Sequence, residues 1–272
     1  MLYDLQTGRL LKVPESAKYY QLDIERVNMM QNNIEAIFLD VGNTLRIVIE
    51  DKVFQNQAKL QLVELTGAQE DPVEFHLKLE ERYKVLRKRA KEKLIEASEK
   101  EMWTQWMLPD FPSEKIAPLS GKLTRLWRDC DGRRIPRDNG SQVIRELSKR
   151  GYLLGIIANT ITETEIPDYL VAEQLTGYFK TVILSSKLGI RKPNPEIYWE
   201  AARRIGSEPS KCVYVGDNPS RDLEGTRAAG YGLFILFYEP ATMAKEPPTG
   251  EYKPDYTIRD MKELLDIFPP RR

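Results

Sequence analysis

Asp40, Asp217, Asp222 and Lys192 are the side chains of this 272-residue sequence whose types and positions could do chemistry together. Asp40 ends an apolar run of strand length that begins at Ile34, and the Val-Gly-Asn-Thr that follows it, through Thr44, is turn sequence that cannot continue a strand. Asp217 and Asp222 lie in Gly216-Asp-Asn-Pro-Ser-Arg-Asp222, just after the apolar stretch that starts at Cys212. Lys192 sits in Arg191-Lys-Pro-Asn-Pro195, and Asn159 and Thr160 follow a further apolar run, Tyr152 to Ala158. A carboxylate can attack a phosphate ester in line and be released by water, provided that cations neutralise the charge on the transferring group. One carboxylate nucleophile, one cation and one metal suffice for that chemistry. Taken alone, Asp40 reads more readily as an ordinary loop aspartate that caps a strand.

These residues acquire meaning from the elements that must carry them. Strands are expected at the run ending in Leu39, at Tyr152 to Ala158, Thr181 to Leu184, Cys212 to Asp217 and Leu233 to Phe237, with an edge strand at Asp255 to Ile258. Helices centred near Tyr169, Trp199 and Ala228, and one from Ser141 to Lys149, separate them. Strands alternating with helices predict an α/β fold, a Rossmann-like, mostly parallel sheet with helices on both faces. In such sheets ligands bind outside the carboxyl ends of the strands, which is where every residue named above falls.

Between Arg46 and Arg137 the pattern changes. Helices are expected from about Asp51 to Leu65, closed by Gly67, and from Pro72 to about Lys100. Phe75, Leu79, Tyr83, Leu86, Ala90, Leu94 and Ala97 recur at spacings of three and four and should share one face of the second. Trp103, Trp106 and Trp127 follow on shorter helical segments and read as core. The expected organisation is therefore an N-terminal extension at 1–33, a core domain at 34–46 and 138–272, and an all-helical cap domain at 47–137. The cap leaves the sheet just after Asp40, so it should sit over the same edge as a lid.

With 41 basic and 41 acidic side chains, the chain has no net field to attract polyanions, so neither nucleic acid nor a membrane surface is an expected partner. The basic run from Lys84 to Lys93, broken by Glu92, reads as a solvated helix face. No apolar stretch approaches spanning length and the start lacks a signal-peptide pattern, so a cytoplasmic location is expected. Cys130 and Cys212 are not at a paired spacing, and His76 is the only histidine, which leaves no zinc site.

In order, spacing and neighbouring residues, the stretches around Asp40, Asn159, Lys192 and Asp217 resemble the four motifs of the haloacid dehalogenase-like hydrolase superfamily, along roughly residues 34–238. A helical cap inserted after the first motif is that family's common arrangement. The resemblance implies a phosphatase acting on a small phosphorylated metabolite through an aspartyl-phosphate, with Asp40 as nucleophile. It implies Mg²⁺ held by Asp40, the Gly42 carbonyl and Asp217, with Asp222 orienting that shell. Lys192 would balance nucleophile and phosphoryl charge, Thr44 would hydrogen-bond near the nucleophile, and Asn43, Asn159 and Thr160 would face the substrate.

Two positions depart from the family pattern. The acid/base aspartate usually found two residues after the nucleophile is Gly42, and the Ser or Thr that ends the second motif is Ala158. Proton transfer by such an acid typically contributes ~10²–10⁴-fold, and a hydrogen bond to a charged group about 1.5–3 kcal/mol. A family enzyme cleaving C–P or C–halogen bonds, and a catalytically inactive binding protein on the same scaffold, are the alternatives. Retention of both Asp217 and Asp222 speaks against a metal-free dehalogenase; a C–P cleaving enzyme would be expected to carry a cap lysine for Schiff-base chemistry, a feature that the many lysines of the insert leave undiagnostic.

Overall fold

Strand β3 (Ala36–Leu39) is the axis of the molecule because it is hydrogen-bonded on both sides, in parallel, to β6 (Leu153–Ala158) and β8 (Cys212–Gly216). With β7 (Phe179–Leu184), β9 (Leu233–Phe237) and β10 (Tyr256–Ile258) they form a six-stranded, all-parallel sheet in the order β10-β9-β8-β3-β6-β7. The chain builds one half outward from β3 and then returns to build the other, so strand order reverses beside β3, and the crevice at that reversal lies at the carboxyl ends of β3, β6 and β8. The computed structural model describes residues 33–246 and 253–271. At the N-terminus it also describes β1 (Leu2–Tyr3) and β2 (Leu10–Leu11), which pair antiparallel. Residues 1, 4–9 and 12–32 of the expected extension lie outside the described residues.

Alternation along the strands sorts the core onto two faces, as a period of two requires. Ile37, Leu39, Leu154, Ile156, Val213 and Val215 pack on Val143, Ile144 and Leu147 of the helix Gly140–Lys149 and on Leu264 and Phe268. Ala36, Phe38, Ile157 and Tyr214 face Ile197, Tyr198 and Ala201 of the helix Pro195–Ile205. That helix starts as its sequence predicts: Asn194 Oδ1 accepts the Glu196 amide at 3.0 Å and Pro195 takes the first turn. None of the helices among the described residues is long and apolar enough to cross a membrane. Cys130 and Cys212 are buried and unpaired, and burial pushes both thiols up to about 12.

The helices Lys52–Thr66, Pro72–Lys93 and Ser120–Asp129 share a separate core with Trp103, Met107 and Trp127, into which Ile161 reaches from beyond β6. Two expectations are corrected there. The segment from 47 to 137 is not all helical: β4 (Arg46–Ile49) and β5 (Arg133–Pro136) pair antiparallel, so both crossings run through one ribbon. Ile47, Val48 and Ile49 are β-branched and fit a pleated ribbon better than a helix turn. The helix from Pro72 also ends at Lys93, not near Lys100. Leu94 turns left-handed at φ 54°, and the Glu96 amide donates to the Gly189 carbonyl at 3.0 Å while the Arg191 amide donates to that of Leu94 at 3.2 Å. A pairing partner almost a hundred residues away gives no local signal.

One buried carboxylate ties the ribbon to the sheet domain. Glu165, on the helix Glu165–Ala172, meets Arg46 of β4 at 3.0 Å, Arg134 of β5 at 2.8 Å and Arg128 of the helix Ser120–Asp129 at 3.3 Å. Burial pushes its carboxyl up, but Arg128, Arg46 and Arg134 outweigh that and hold it at about 2.

Candidate active site

The amide of Asp40 still belongs to the sheet, donating to the Val215 carbonyl at 2.9 Å, and the chain then turns sharply. The Val41 carbonyl accepts the amides of Thr44, Leu45 and Arg46, and Asn43 takes a left-handed φ of 57°, which asparagine tolerates. This curl brings the Asp40 carboxylate to the crevice and leaves the Gly42 carbonyl free of the loop's backbone hydrogen bonds. On the neighbouring strand Asp217 follows β8, and the single π-helical turn Pro219–Leu223, capped by Asn218, returns Asp222 beneath Asp217. A Cβ on Gly216 would stand 2.5 Å from the Asp222 carboxylate, so only glycine lets the two approach.

Lys192 arrives from beyond β7 and is fully buried. Its ammonium lies 3.0 Å from Asp40 Oδ1, 2.9 Å from Asp222 Oδ1 and 2.5 Å from the Tyr214 hydroxyl, which in turn donates to the Ile157 carbonyl at 2.8 Å. Asn159 fixes the loop that carries it. Its Oδ1 accepts the Lys192 amide at 2.8 Å and its Nδ2 donates to the Lys192 carbonyl at 3.0 Å, so this side chain positions the lysine. The Thr160 amide donates to Ser185 Oγ at 2.9 Å, and that hydroxyl also reaches Glu96 Oε2 at 3.0 Å. Asn43 directs its amide to the Thr242 hydroxyl at 3.2 Å. The Thr44 hydroxyl is buried with no hydrogen-bond partner among the described residues.

Three side chains that sequence reasoning did not assign join this cluster. Tyr214 supports Lys192, Thr242 donates to Asp217 Oδ2 at 2.5 Å, and Arg221 reaches Asp222 with Nε at 3.2 Å. Arg221 and Tyr214 stand inside stretches already singled out, but nothing in their spacing says where the side chains turn. Thr242 comes from the short helix Pro240–Lys245, some 25 residues from its partner. Burial, then the charges of Asp40 and Asp222, raise the Asp217 carboxyl to about 6. Asp222 is held low despite burial, by Arg221 and Lys192.

The donor set fits a hard divalent cation. Ligand oxygens of Asp40, Asp217 and Asp222 lie within 4.8 Å of one another, and Asp217 Oδ1 is buried without a hydrogen bond, a costly state unless something else binds it. Asp222 is already engaged: Oδ1 takes Lys192 and Arg221, and Oδ2 accepts the Asn218 amide at 3.2 Å. Asp40 and Asp217 thus keep carboxylate oxygens that could hold a cation, while both Asp222 oxygens are occupied by Lys192, Arg221 and the Asn218 amide.

A cleft of about 370 Å³ opens beside these carboxylates. Asn159, Thr160, Arg191 and Arg221 line it from the sheet side, and Tyr83, Arg87 and Arg128 from the helical side. Its volume suits a small molecule, and its lining carries five basic side chains (Lys84, Arg87, Arg128, Arg191 and Arg221) against three acidic ones (Glu80, Glu96 and Asp131).

The model of the haloacid dehalogenase-like hydrolase family matches residues 73–235, more than half of the chain. Over 124 residues the chain is 32% identical to a glyceraldehyde 3-phosphate phosphatase of Methanopyrus kandleri, covering 46% of this chain and 52% of that protein. Over 122 residues it is 29% identical to a phosphoserine phosphatase of Thermus thermophilus, covering 45% of this chain and 47% of that protein. The chain thus spans about half the length of the curated relatives it matches. The crystal structure of a 2-haloacid dehalogenase from Pseudomonas syringae superimposes with a TM-score of 0.64 at 21% identity, over 86% of this chain and 97% of the other, a likeness of fold. By its sheet, its motif order and the family match, this chain belongs to the haloacid dehalogenase-like hydrolases.

Proposed function

We propose that the chain is a Mg²⁺-dependent phosphatase acting on a small phosphorylated metabolite, with Asp40 as the nucleophile that carries the phosphoryl group between substrate and water. The observation that carries this reading is the Asp40 carboxylate held 3.0 Å from Lys192 beside a buried Asp217 oxygen that accepts no hydrogen bond among the described residues. Lys192 offsets the nucleophile's charge and fixes one of its oxygens, leaving Oδ2 toward the phosphorus. When bound by Asp40, the Gly42 carbonyl and Asp217, Mg²⁺ supplies charge neutralisation for the transferring group. Asp222 and Tyr214 hold Lys192, and Asn159 holds its loop. Glyceraldehyde 3-phosphate and phosphoserine, for which the two relatives are named, are small enough for a cleft of about 370 Å³.

Residues 47–137 serve in this reading as a cap whose helices, bearing Tyr83, Arg87 and Arg128, close on the substrate from above and exclude water. The ribbon β4–β5 is the hinge on which they sit. The site has no acid at position 42, so ester cleavage relies on the leaving group's own stability or on a cap side chain. The reading is tested by hydrolysis of aryl, acyl and alkyl phosphates in Mg²⁺ by wild type and Asp40→Asn. Asp40-dependent turnover, fastest on aryl and acyl phosphates, is expected. Complete absence of Asp40-dependent turnover of all three classes would remove the phosphatase reading.

A further inference from the structure

We propose that Arg221 is the residue that grips the phosphoryl oxygens, an inference that rests on the phosphatase reading and adds to it. Lys192 has the wrong connections for that task. An ammonium has three N–H donors, and Asp40, Asp222 and Tyr214 take all three within 3.0 Å, in a fully buried setting. The second-motif hydroxyl that would otherwise donate is absent, because position 158 is alanine. Among the cationic side chains that line the cleft, Arg221 is the one whose guanidinium comes within 4 Å of Asp40 among the described residues.

Arg221 is connected differently. Its Nε donates to Asp222 Oδ1 at 3.2 Å, which fixes the plane of the group. Nη2 stands 3.7 Å from Asp40 Oδ2 and 3.5 Å from Asp217 Oδ1, distances of ion pairing beyond hydrogen-bond contact. Its terminal N–H groups therefore donate no hydrogen bond among the described residues, while the side chain is 26% exposed and borders the cleft beside Asn159 and Arg191. The π-helical turn Pro219–Leu223 makes this placement possible by presenting Arg221 to the cleft and Asp222 to the interior from adjacent positions. A planar fork of free donors next to the nucleophile matches the paired oxygens of a phosphoryl group, and in the transferring state it meets the charge that spreads over them. With a phosphoryl group in the cleft, the guanidinium would exchange its loose approach to Asp40 and Asp217 for hydrogen bonds to the anion. The same approach makes it a competitor of a divalent cation for those two carboxylates.

The test is calorimetric titration of inorganic phosphate, with saturating Mg²⁺, and of Mg²⁺ alone, into wild type, Arg221→Gln and Arg221→Lys. Loss of hydrogen bonds to a charged partner predicts phosphate binding weaker by roughly ten- to a hundredfold in Arg221→Gln. Partial recovery is expected in Arg221→Lys, which keeps the charge without the fork, and Mg²⁺ binding should be equal or tighter in both. If phosphate affinity in the folded variants stays within about twofold of wild type, or if wild type binds no phosphate, the role assigned to Arg221 is wrong. Should Arg221→Gln fail to fold, Arg221→Lys decides the matter alone. Arg221-dependent phosphate binding without Asp40-dependent turnover would leave this inference standing and sink the phosphatase reading. Asp40-dependent turnover with phosphate affinity indifferent to Arg221 would do the reverse.

Discussion

Restoring the missing proton donor with Gly42→Asp should accelerate hydrolysis of alkyl phosphates while changing aryl phosphates little. The backbone at 42 is compatible with the change: a Cβ there meets nothing within 4 Å, and Gly42 is not among the glycines with positive φ. General acid/base catalysis contributes ~10²–10⁴-fold, which at about 1.36 kcal/mol per decade is about 2.7–5.5 kcal/mol of barrier. The open space that admits the side chain also means that no neighbour orients it. Lys192 and Arg221 already face three carboxylates, and a fourth adds repulsion. Both effects place the expectation at the lower end, ~10²-fold in kcat for an alkyl ester. Aryl phosphates, whose leaving oxygen needs no proton, should change less than tenfold. The assay is steady-state release of phosphate from a matched alkyl and aryl pair in Mg²⁺ by wild type, Gly42→Asp and Asp40→Asn. Equal gains on both esters would show that the new carboxylate acts otherwise than as an acid. A wild type that already hydrolyses the alkyl ester as fast as the aryl one would refute the premise that the proton donor is missing.

Three further outcomes follow from the same geometry. Asp217, raised from 3.8 to about 6 by burial and by Asp40 and Asp222, carries a charge that the metal-free fold disfavours, so its burden on stability sets in as pH rises through that window. Asp217→Asn should therefore raise the melting temperature at pH 7 without metal and abolish the rise that Mg²⁺ gives wild type, both read by thermal unfolding. Glu165, lowered from 4.5 to about 2, contributes stability that is fully present above pH 4.5 and is lost as pH falls toward 2. At about 1.36 kcal/mol per pKa unit this is about 3 kcal/mol, so denaturant unfolding of Glu165→Gln should show a deficit of that order at pH 7 that shrinks toward pH 2. Hydrogen exchange with Mg²⁺ and phosphate bound should show added protection of the β4–β5 ribbon; unchanged exchange there would leave the helical segment a fixed structural part.

The sequence by itself determined the sheet and the positions that serve the site. The three central strands of the sheet are apolar runs followed by turn or polar residues, and Asp40, Asn159 and Asp217 each follow one, so a parallel α/β sheet puts them at one edge without further information. Its periodicity also marked the helices beginning after Asp51 and at Pro72, because capping aspartates and an N-terminal proline are local signals. It did not determine where that second helix stops, since Leu94 yields to a backbone pairing with Gly189 and Arg191. Nor did it show what the polar side chains do once gathered. Asn159, which lines the cleft, also hydrogen-bonds the Lys192 backbone through both ends of its amide, and Asn43 directs its amide to Thr242. Lys192 has all its donors engaged, and Arg221, read only as a member of a motif, keeps its terminal ones free. Spacing places a backbone at an edge, but a donor's availability depends on every neighbour that competes for it, and those neighbours come from β6, β8, the loop at 192 and the helix at 242. Only the tertiary structure brings them within 3 to 4 Å, the range in which hydrogen bonds and buried charges decide which group is free to act.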